Sequence, residues 1–445
     1  MTFRFVDLFA GIGGFHAALG AMGGRCVYAV EVDQQAARIY KRNWGIDPIG
    51  DITIDATDQR VLVPDHDVLV AGFPCQPFSK SGKQLGMDET RGTLFWNILQ
   101  VIKKRKPALV LLENVRNLAG PRHEHEWRII LESLRSQNYI VSDRPSTFSP
   151  HLLPPSHGGR PQIRERVFIC AARADRRNAN LEPESPIVTS RPLENWDPKL
   201  WKVAEHLPLD LDDIDPASTL SDKELFWIEA WNDFVVSILG LRNGKRLPGF
   251  PLWADAWNPL AQLRIADGTP KWKIDFLQKN AAFYDEHRQF IDMWVSKWSI
   301  YTDAFPASRR KLEWQAQDTR SLWETVIQFR PSGIRARQEN YLPALVAIAQ
   351  TSIIGSQRRR ITPREAARMQ GLPDWFDLSG QTPATTFRQL GNSVNVGVIY
   401  HLLRETVNAH LELLKSTAPG LVESVRRSPV NPDTVLSYKR PIMQK

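Results

Sequence analysis

Asp67-Val68-Leu69-Val70-Ala71-Gly72-Phe73-Pro74-Cys75-Gln76-Pro77-Phe78-Ser79 is the stretch on which the fold turns. Its apolar run is short enough for a buried strand and ends in a loop where one cysteine stands between two prolines. Prolines fix φ and remove backbone donors, so the chain itself holds Cys75 in place. In an open α/β sheet, ligands bind at the carboxyl ends of the strands, where this reading puts Cys75. A thiol so presented is a candidate nucleophile. A free cysteine is as readily a small buried hydrophobe, and other residues have to decide between the two.

The same texture extends on both sides. Arg4 to Phe9, Cys26 to Val30, Val68 to Ala71, Ala108 to Leu112 and Val167 to Ala171 read as strands, and Leu94 to Lys103 and Glu126 to Ser136 read as helices between them. Strands alternating with helices imply an α/β fold with a doubly wound, mostly parallel sheet over residues 1–175. From about residue 176 the alternation stops, and eleven of the 15 tryptophans lie between Trp196 and Trp323. Glu224 to Leu239 and Lys273 to Trp298 carry helical apolar spacing, so an inserted, largely helical module is expected. Its tryptophans are expected mainly as core anchors, with stacking on bases as the alternative. The α/β texture returns near 336, with Thr362 as N-cap, Pro363 at the first helical position and Glu365 closing a capping box. A last long helix is expected from about Val396 to Lys415, followed by a loosely held tail over 416–445.

Composition narrows the class. At 445 residues, the chain suits one large domain and a smaller one. A net charge of +8 is compatible with a polyanionic partner without demanding one. The three cysteines, Cys26, Cys75 and Cys170, are far apart and in no metal-ligand spacing, so neither a disulfide framework nor a metal is expected. The opening residues read as a strand without a signal-peptide pattern, and no apolar run approaches the ~18 residues of a membrane span. A cytoplasmic protein is expected, nucleoid-associated if its polyanionic partner is DNA.

Phe9-Ala10-Gly11-Ile12-Gly13-Gly14-Phe15 follows the first strand and opens a helix, where glycines let the backbone approach a ligand. Glu31 ends the second strand, where a carboxylate can bind ribose hydroxyls. The dinucleotide spacing G-x-G-x-x-G is absent, so S-adenosyl-L-methionine fits better than NAD. Glu113 emerges at the same sheet edge as Cys75. Arg164 and Arg166 share a face of an extended segment and suit a phosphate or a base carbonyl, or ordinary ion pairs.

Together these residues resemble the bacterial DNA cytosine-5 methyltransferases of restriction-modification type. The resemblance rests on the Phe9 to Phe15 loop, Glu31, Gly50-Asp51-Ile52, Pro74-Cys75-Gln76, Arg91 to Phe95, Glu113-Asn114-Val115, Gln162 to Arg166, Arg360 to Gly371 and Gln389 to Val394. It implies a Rossmann-like catalytic domain in two parts, 1–175 and 336–415, around a target-recognition domain at 176–335. It implies S-adenosyl-L-methionine at Phe9, Gly11, Gly13, Gly14, Glu31, Val32, Asp51, Ile52, Pro74, Leu94, Asn392 and Ser393. Double-stranded DNA would be the substrate, contacted by Ser79, Ser81, Lys83 and Gln84 in a closing loop and by Arg335 and Arg337 in the basic segment Arg330 to Arg337. The family also implies a monomer on DNA, and a cognate restriction endonuclease acting separately.

The resemblance further makes Cys75 the nucleophile that attacks C6 of a flipped-out cytosine. Glu113 would hold the N3 and N4 edge and Arg164 the C2 carbonyl, and either Arg166 or a helix N-terminus is expected to supply positive charge near the thiolate. Two departures stand out. The insert is unlike the compact β-rich recognition regions common in the family, and Gly158-Gly159-Arg160-Pro161 replaces a single glycine and an apolar residue, a change expected to alter a loop and not the chemistry. The rivals are a tRNA cytosine-5 methyltransferase, whose Cys-Phe-Thr motif is missing since no cysteine follows Cys170, and a silent DNA-binding homologue, against which the full residue set speaks.

Overall fold

The computed structural model describes residues 2–74, 93–174, 186–210, 214–345 and 351–438. Cys75, Ser79, Ser81, Lys83 and Gln84 lie outside the described residues.

The first sheet is built from β1 (Arg4–Leu8), β2 (Arg25–Val30), β3 (Val68–Gly72), β4 (Leu109–Val115), β5 (Tyr139–Val141), β6 (Ser146–Phe148) and, after the short β7 (Gln162–Ile163), β8 (Arg166–Arg173). Its order is β2-β1-β3-β4-β8-β5, with β6 also on β8. The first four strands are mutually parallel, and β8 runs antiparallel to β4 and to both short strands. Successive strand residues serve opposite faces, as the two-residue period requires. Val68, Val70, Leu109 and Leu111 enter one core, while Leu69, Ala71, Val110 and Leu112 enter the other. Helices α1 (Gly14–Ala21) and α2 (Gln34–Trp44) cover the first face, and α4 (Leu94–Arg105) and α5 (Glu124–Ser136), with the one-turn α3 (Ile52–Asp55) before them, cover the second. The strand order reverses between β1 and β3, which opens a crevice at their carboxyl ends.

The second sheet corrects the expectation of a largely helical insert. The two long helices are there, at Asp222–Leu241 and Lys271–Lys297. They pack on a mixed six-stranded sheet made of β9 (Leu252–Trp253), β10 (Lys311–Gln315), β11 (Thr325–Arg330), β12 (Gly333–Gln338) and, past β13 (Leu342–Pro343), β14 (Ile353–Ile354) and β15 (Arg359–Arg360), in the order β15-β14-β11-β12-β10-β9. These strands alternate polar and apolar residues, as in Lys311-Leu312-Glu313-Trp314-Gln315, because only one face is fully buried. A search for continuous apolar runs passes over them. The sheet also continues to Arg360, well beyond residue 335. Trp231, Trp257 and Trp294 form an aromatic core with Phe234, the Trp231 and Trp294 centroids being 5.0 Å apart.

The capping box at Thr362 and Glu365 is present, with Pro363 in the first turn. The last long helix, Val396–Ala409, stops at His410 and a second, Leu411–Thr417, follows. The segment expected to be loosely held is packed instead as far as Leu436. Leu421, Val422 and Val425 are buried on the helix Pro419–Arg427, and Trp375 Nε1 donates to the Leu436 carbonyl at 2.6 Å. Arg160 reaches it too, pairing with Asp433 at 2.7 Å. The neighbouring Gly158 permits the close approach of the tail, since a Cβ there would lie 2.9 Å from the Pro432 ring.

Candidate active site

Four strand ends build the site. The turn after β1 runs through positive φ at Phe9 (57°), Gly11 (54°) and Gly13 (92°), which folds the backbone tightly over the end of the strand. Gly13 and Gly14 also have no room for a side chain. A Cβ on Gly13 would lie 2.1 Å from Trp44 Nε1, and one on Gly14 would lie 2.7 Å from Ser393 Oγ. The glycine-rich turn is thus seated between α2 and a segment that enters almost 380 residues later.

Glu31, at the end of β2, ties this turn down. One carboxylate oxygen accepts from the Gly11 N–H and the other from the Asp33 N–H, both at 2.8 Å. Asp33 in turn caps α2, and Asp51 caps α3 by accepting from the Thr53 N–H at 2.9 Å. Beneath the turn lies Asp7, fully buried, with neither oxygen hydrogen-bonded among the described residues. Burial, reinforced by the nearby Glu31 charge, holds its carboxyl well above the usual range.

At the end of β4, Glu113 is buried and its Oε1 lies 3.0 Å from Arg166 Nε on the neighbouring β8. Burial pushes the Glu113 carboxyl up, against the pull of Arg166 and Arg164. Asn114 donates to the Phe73 carbonyl at 2.9 Å and so fixes the end of β3 just ahead of Cys75. Arg164 and Arg166 both face the cavity, but their contacts differ. Arg164 donates to the carbonyls of Leu345 (3.1 Å), Gly391 (2.8 Å) and Ser393 (2.6 Å). The expectation that Arg164 holds the base carbonyl is therefore revised: its terminal nitrogens bind the returning chain, and the guanidinium that meets Glu113 is that of Arg166. Burial, with the Arg166 charge beside it, lowers the Arg164 pKa to about 9.

These elements enclose a cavity of about 620 Å³. Phe9, Gly11, Glu31, Val32, Asp51, Ile52, Pro74, Leu94, Glu113, Arg164, Arg166 and Asn392 all line it. Gly13, Gly14 and Ser393 lie behind the lining and shape it by packing. Arg335 and Arg337 lie elsewhere, on β12. Several lining residues were missed by sequence reading, Asp33, Thr53, Asn114 and Arg388 among them. Asn114 was quoted for its neighbour alone. Arg388, whose signal was only a cation next to Gln389, crosses to Gln35 Oε1 at 3.1 Å and Asp33 Oδ2 at 3.4 Å. Cys26 and Cys170 are set apart from chemistry, because burial pushes both thiols up to about 12.

A doubly wound sheet with a glycine-rich first turn, an acid on the second strand and a buried Glu–Arg pair at the fourth is the frame of a nucleoside-cofactor transferase. Residues 3–408 match the model of the C-5 cytosine-specific DNA methylases, and the chain belongs to that family. It is a DNA cytosine-5 methyltransferase. It is 45% identical to the type II methyltransferase M.AluI of Cellulosimicrobium cellulans, over 94% of each chain. M.HgiCII of Herpetosiphon aurantiacus is 29% identical, over 92% of this chain and 98% of its own. Among solved structures, a mutant of Spodoptera frugiperda DNMT2 aligns over 91% of this chain and 99% of its own, at 19% identity and a TM-score of 0.47, too low to add to the assignment. Among the described residues, no helix is long and apolar enough to cross a membrane.

Proposed function

We propose that this chain is the sequence-specific modification enzyme of a type II restriction-modification system, acting as a monomer on double-stranded DNA. The buried Glu113–Arg166 pair at the mouth of the cavity carries the reading, because it presents a carboxyl and a guanidinium side by side where a planar base would enter. The names of the relatives support the type II assignment.

The cavity suits S-adenosyl-L-methionine. Its glycine turn has no space for side chains at Gly13 and Gly14, and Glu31 and Asp51 offer acceptors for ribose and amino groups. When bound, that cofactor supplies an electrophilic methyl group. Phe9, Val32, Ile52, Pro74, Leu94 and Asn392 would hold it, with Ser393 packed behind them.

The protein's own part is to make C5 of cytosine nucleophilic. A target inside a duplex must first be flipped out, at a cost of a few kcal/mol. The Cys75 thiolate adds to C6, and the electron pair of the C5–C6 double bond moves to C5. Glu113 would hydrogen-bond the N3 and N4 edge of the base, while Arg166 holds the C2 carbonyl, so the charge spreading over the ring is stabilised. Once C5 is methylated, loss of its proton and expulsion of the thiolate restore the ring. Arg166 also favours the thiolate of Cys75, whose free pKa near 8.5 would leave it mostly protonated. Ser79, Ser81, Lys83 and Gln84 would close on the DNA, and the second sheet with its two helices would choose the sequence.

Bisulfite sequencing of DNA from a methylation-deficient bacterial host expressing the chain tests this. Protection of cytosine in one short context is expected, lost in Cys75→Ala while cofactor binding stays near normal. Unprotected DNA from soluble, cofactor-binding wild-type protein would refute it.

A further inference from the structure

The two faces of the second sheet differ in kind. Leu312, Trp314, Ile327, Phe329, Ile334 and Ala336 enter the aromatic core. The residues between them form the opposite face. There the register sets Arg335 between Glu313 and Gln328, and Arg337 between Gln315 and Val326. Arg335 is locked: Nε and Nη2 lie 2.7 and 2.6 Å from Glu313 Oε2, and Arg330 Nη1 lies 3.7 Å from the same oxygen. Arg337 is held differently, by one bond of 3.0 Å from Nε to Gln315 Oε1. Among the described residues, its Nη1 and Nη2 make no hydrogen bond. Two guanidinium groups share the Glu313 carboxylate and Arg337 adds a third positive charge, which leaves this face positive.

Its position is also informative. Val326, opposite Arg337, belongs to the core shared with the catalytic sheet and not to the aromatic core. The next strand, β13, pairs with β7, whose last residue directly precedes Arg164. The Arg337 end of the face therefore meets the catalytic layer.

We propose that Arg337 reads a guanine of the recognition sequence in the major groove, with its terminal fork on O6 and N7 and its direction set by Gln315. A guanidinium fixed at Nε with a free fork is the geometry of bidentate guanine recognition, whereas a phosphate contact needs no such buttress. The Arg335–Glu313 pair beside it keeps the row rigid. This rests on the DNA methyltransferase reading above.

The test uses the full-length enzyme and duplexes carrying the methylated context, with each guanine replaced in turn by 7-deazaguanine, which keeps base pairing and loses N7. At one position the replacement is expected to lower wild-type kcat/KM about tenfold, and to have no effect in Arg337→Ala. Arg337→Ala should also tolerate other bases at that position, with discrimination reduced about ten- to a hundredfold there and unchanged elsewhere. Gln315→Ala should give a smaller loss at the same position, which guards against a merely misfolded variant. Equal weakening of Arg337→Ala on all sequences, with a salt slope lower by about one, would mark a phosphate contact and overturn the proposal. So would a wild-type enzyme indifferent to 7-deazaguanine at every position. Wild-type enzyme that methylates no DNA would overturn the functional reading, and the proposal with it.

Discussion

Arg164→Lys separates two roles that one buried guanidinium could have. Arg164 makes three bonds, of 3.1, 2.8 and 2.6 Å, to carbonyls from two segments of the returning chain. A lysine keeps the charge but reaches one carbonyl, or two at most. Each lost bond to a charged donor is worth about 1.5–3 kcal/mol, partly recovered if water enters. Because Gly391 and Ser393 flank the cavity residue Asn392, the loosening falls on the cofactor side of the site. If about 1.4 kcal/mol of it is felt there, cofactor affinity falls about tenfold. The assay is calorimetric titration with S-adenosylhomocysteine, followed by turnover at saturating cofactor. The expected result is a raised Kd with kcat within about threefold of wild type. An unchanged Kd with kcat down by about a hundredfold or more would refute the reasoning, and would put the guanidinium on the base, as the sequence alone suggested.

Other perturbations give equally distinct outcomes. Gly13→Ala forces a methyl group into Trp44 at a φ of 92°, so a loss of about 1–3 kcal/mol with weakened cofactor binding is expected; an unchanged Tm would contradict the close packing. The raised Asp7 carboxyl binds its proton more tightly in the folded chain than in the unfolded one. Its contribution to stability is complete below the ordinary carboxyl range and is lost as pH rises through its raised pKa. Asp7→Asn should therefore flatten the fall in Tm as pH rises above the ordinary carboxyl range, and parallel pH–Tm curves for the two proteins would count against this. Arg359→Met leaves Glu365 buried without its partner at 2.7 Å and should cost about 3–5 kcal/mol in urea unfolding; a loss below about 1 kcal/mol would show that the pair is dispensable.

The catalytic sheet was legible because its central strands are buried on both faces and spell continuous apolar runs. Every strand predicted there is present, with ends shifted by a few residues. Tyr139–Val141 and Ser146–Phe148 are too short to leave such a mark. The second sheet escaped because its strands are half exposed, and Gln328, Arg335 and Arg337 interrupt the pattern. Phe9, Gly11, Glu31, Glu113, Arg164 and Arg166, which share one cavity, could be singled out together because each sits in a motif. What each arginine touches was not legible. Arg164 and Arg166 have the same chemistry and share a face, and only the arrival of Leu345, Gly391 and Ser393 decides which one is tied to the returning chain. The supposed loose tail misled in the same way: its prolines and basic residues conceal Leu421, Val422 and Val425, which gain a core to enter only from distant parts of the chain.

The packing of Gly14 against Ser393 and Val394 also constrains how the enzyme is made. A ribosome emits the glycine turn almost 380 residues before the wall that completes it. Helix α1 likewise waits for the helix Val396–Ala409 to cover it. Closing such a long loop late makes assembly slow and cooperative, since little of the stabilising contact can form until both ends are free. A nascent or truncated chain therefore has no finished cofactor pocket. Two fragments divided within the insert should each be inert and should regain the pocket only on reassociation.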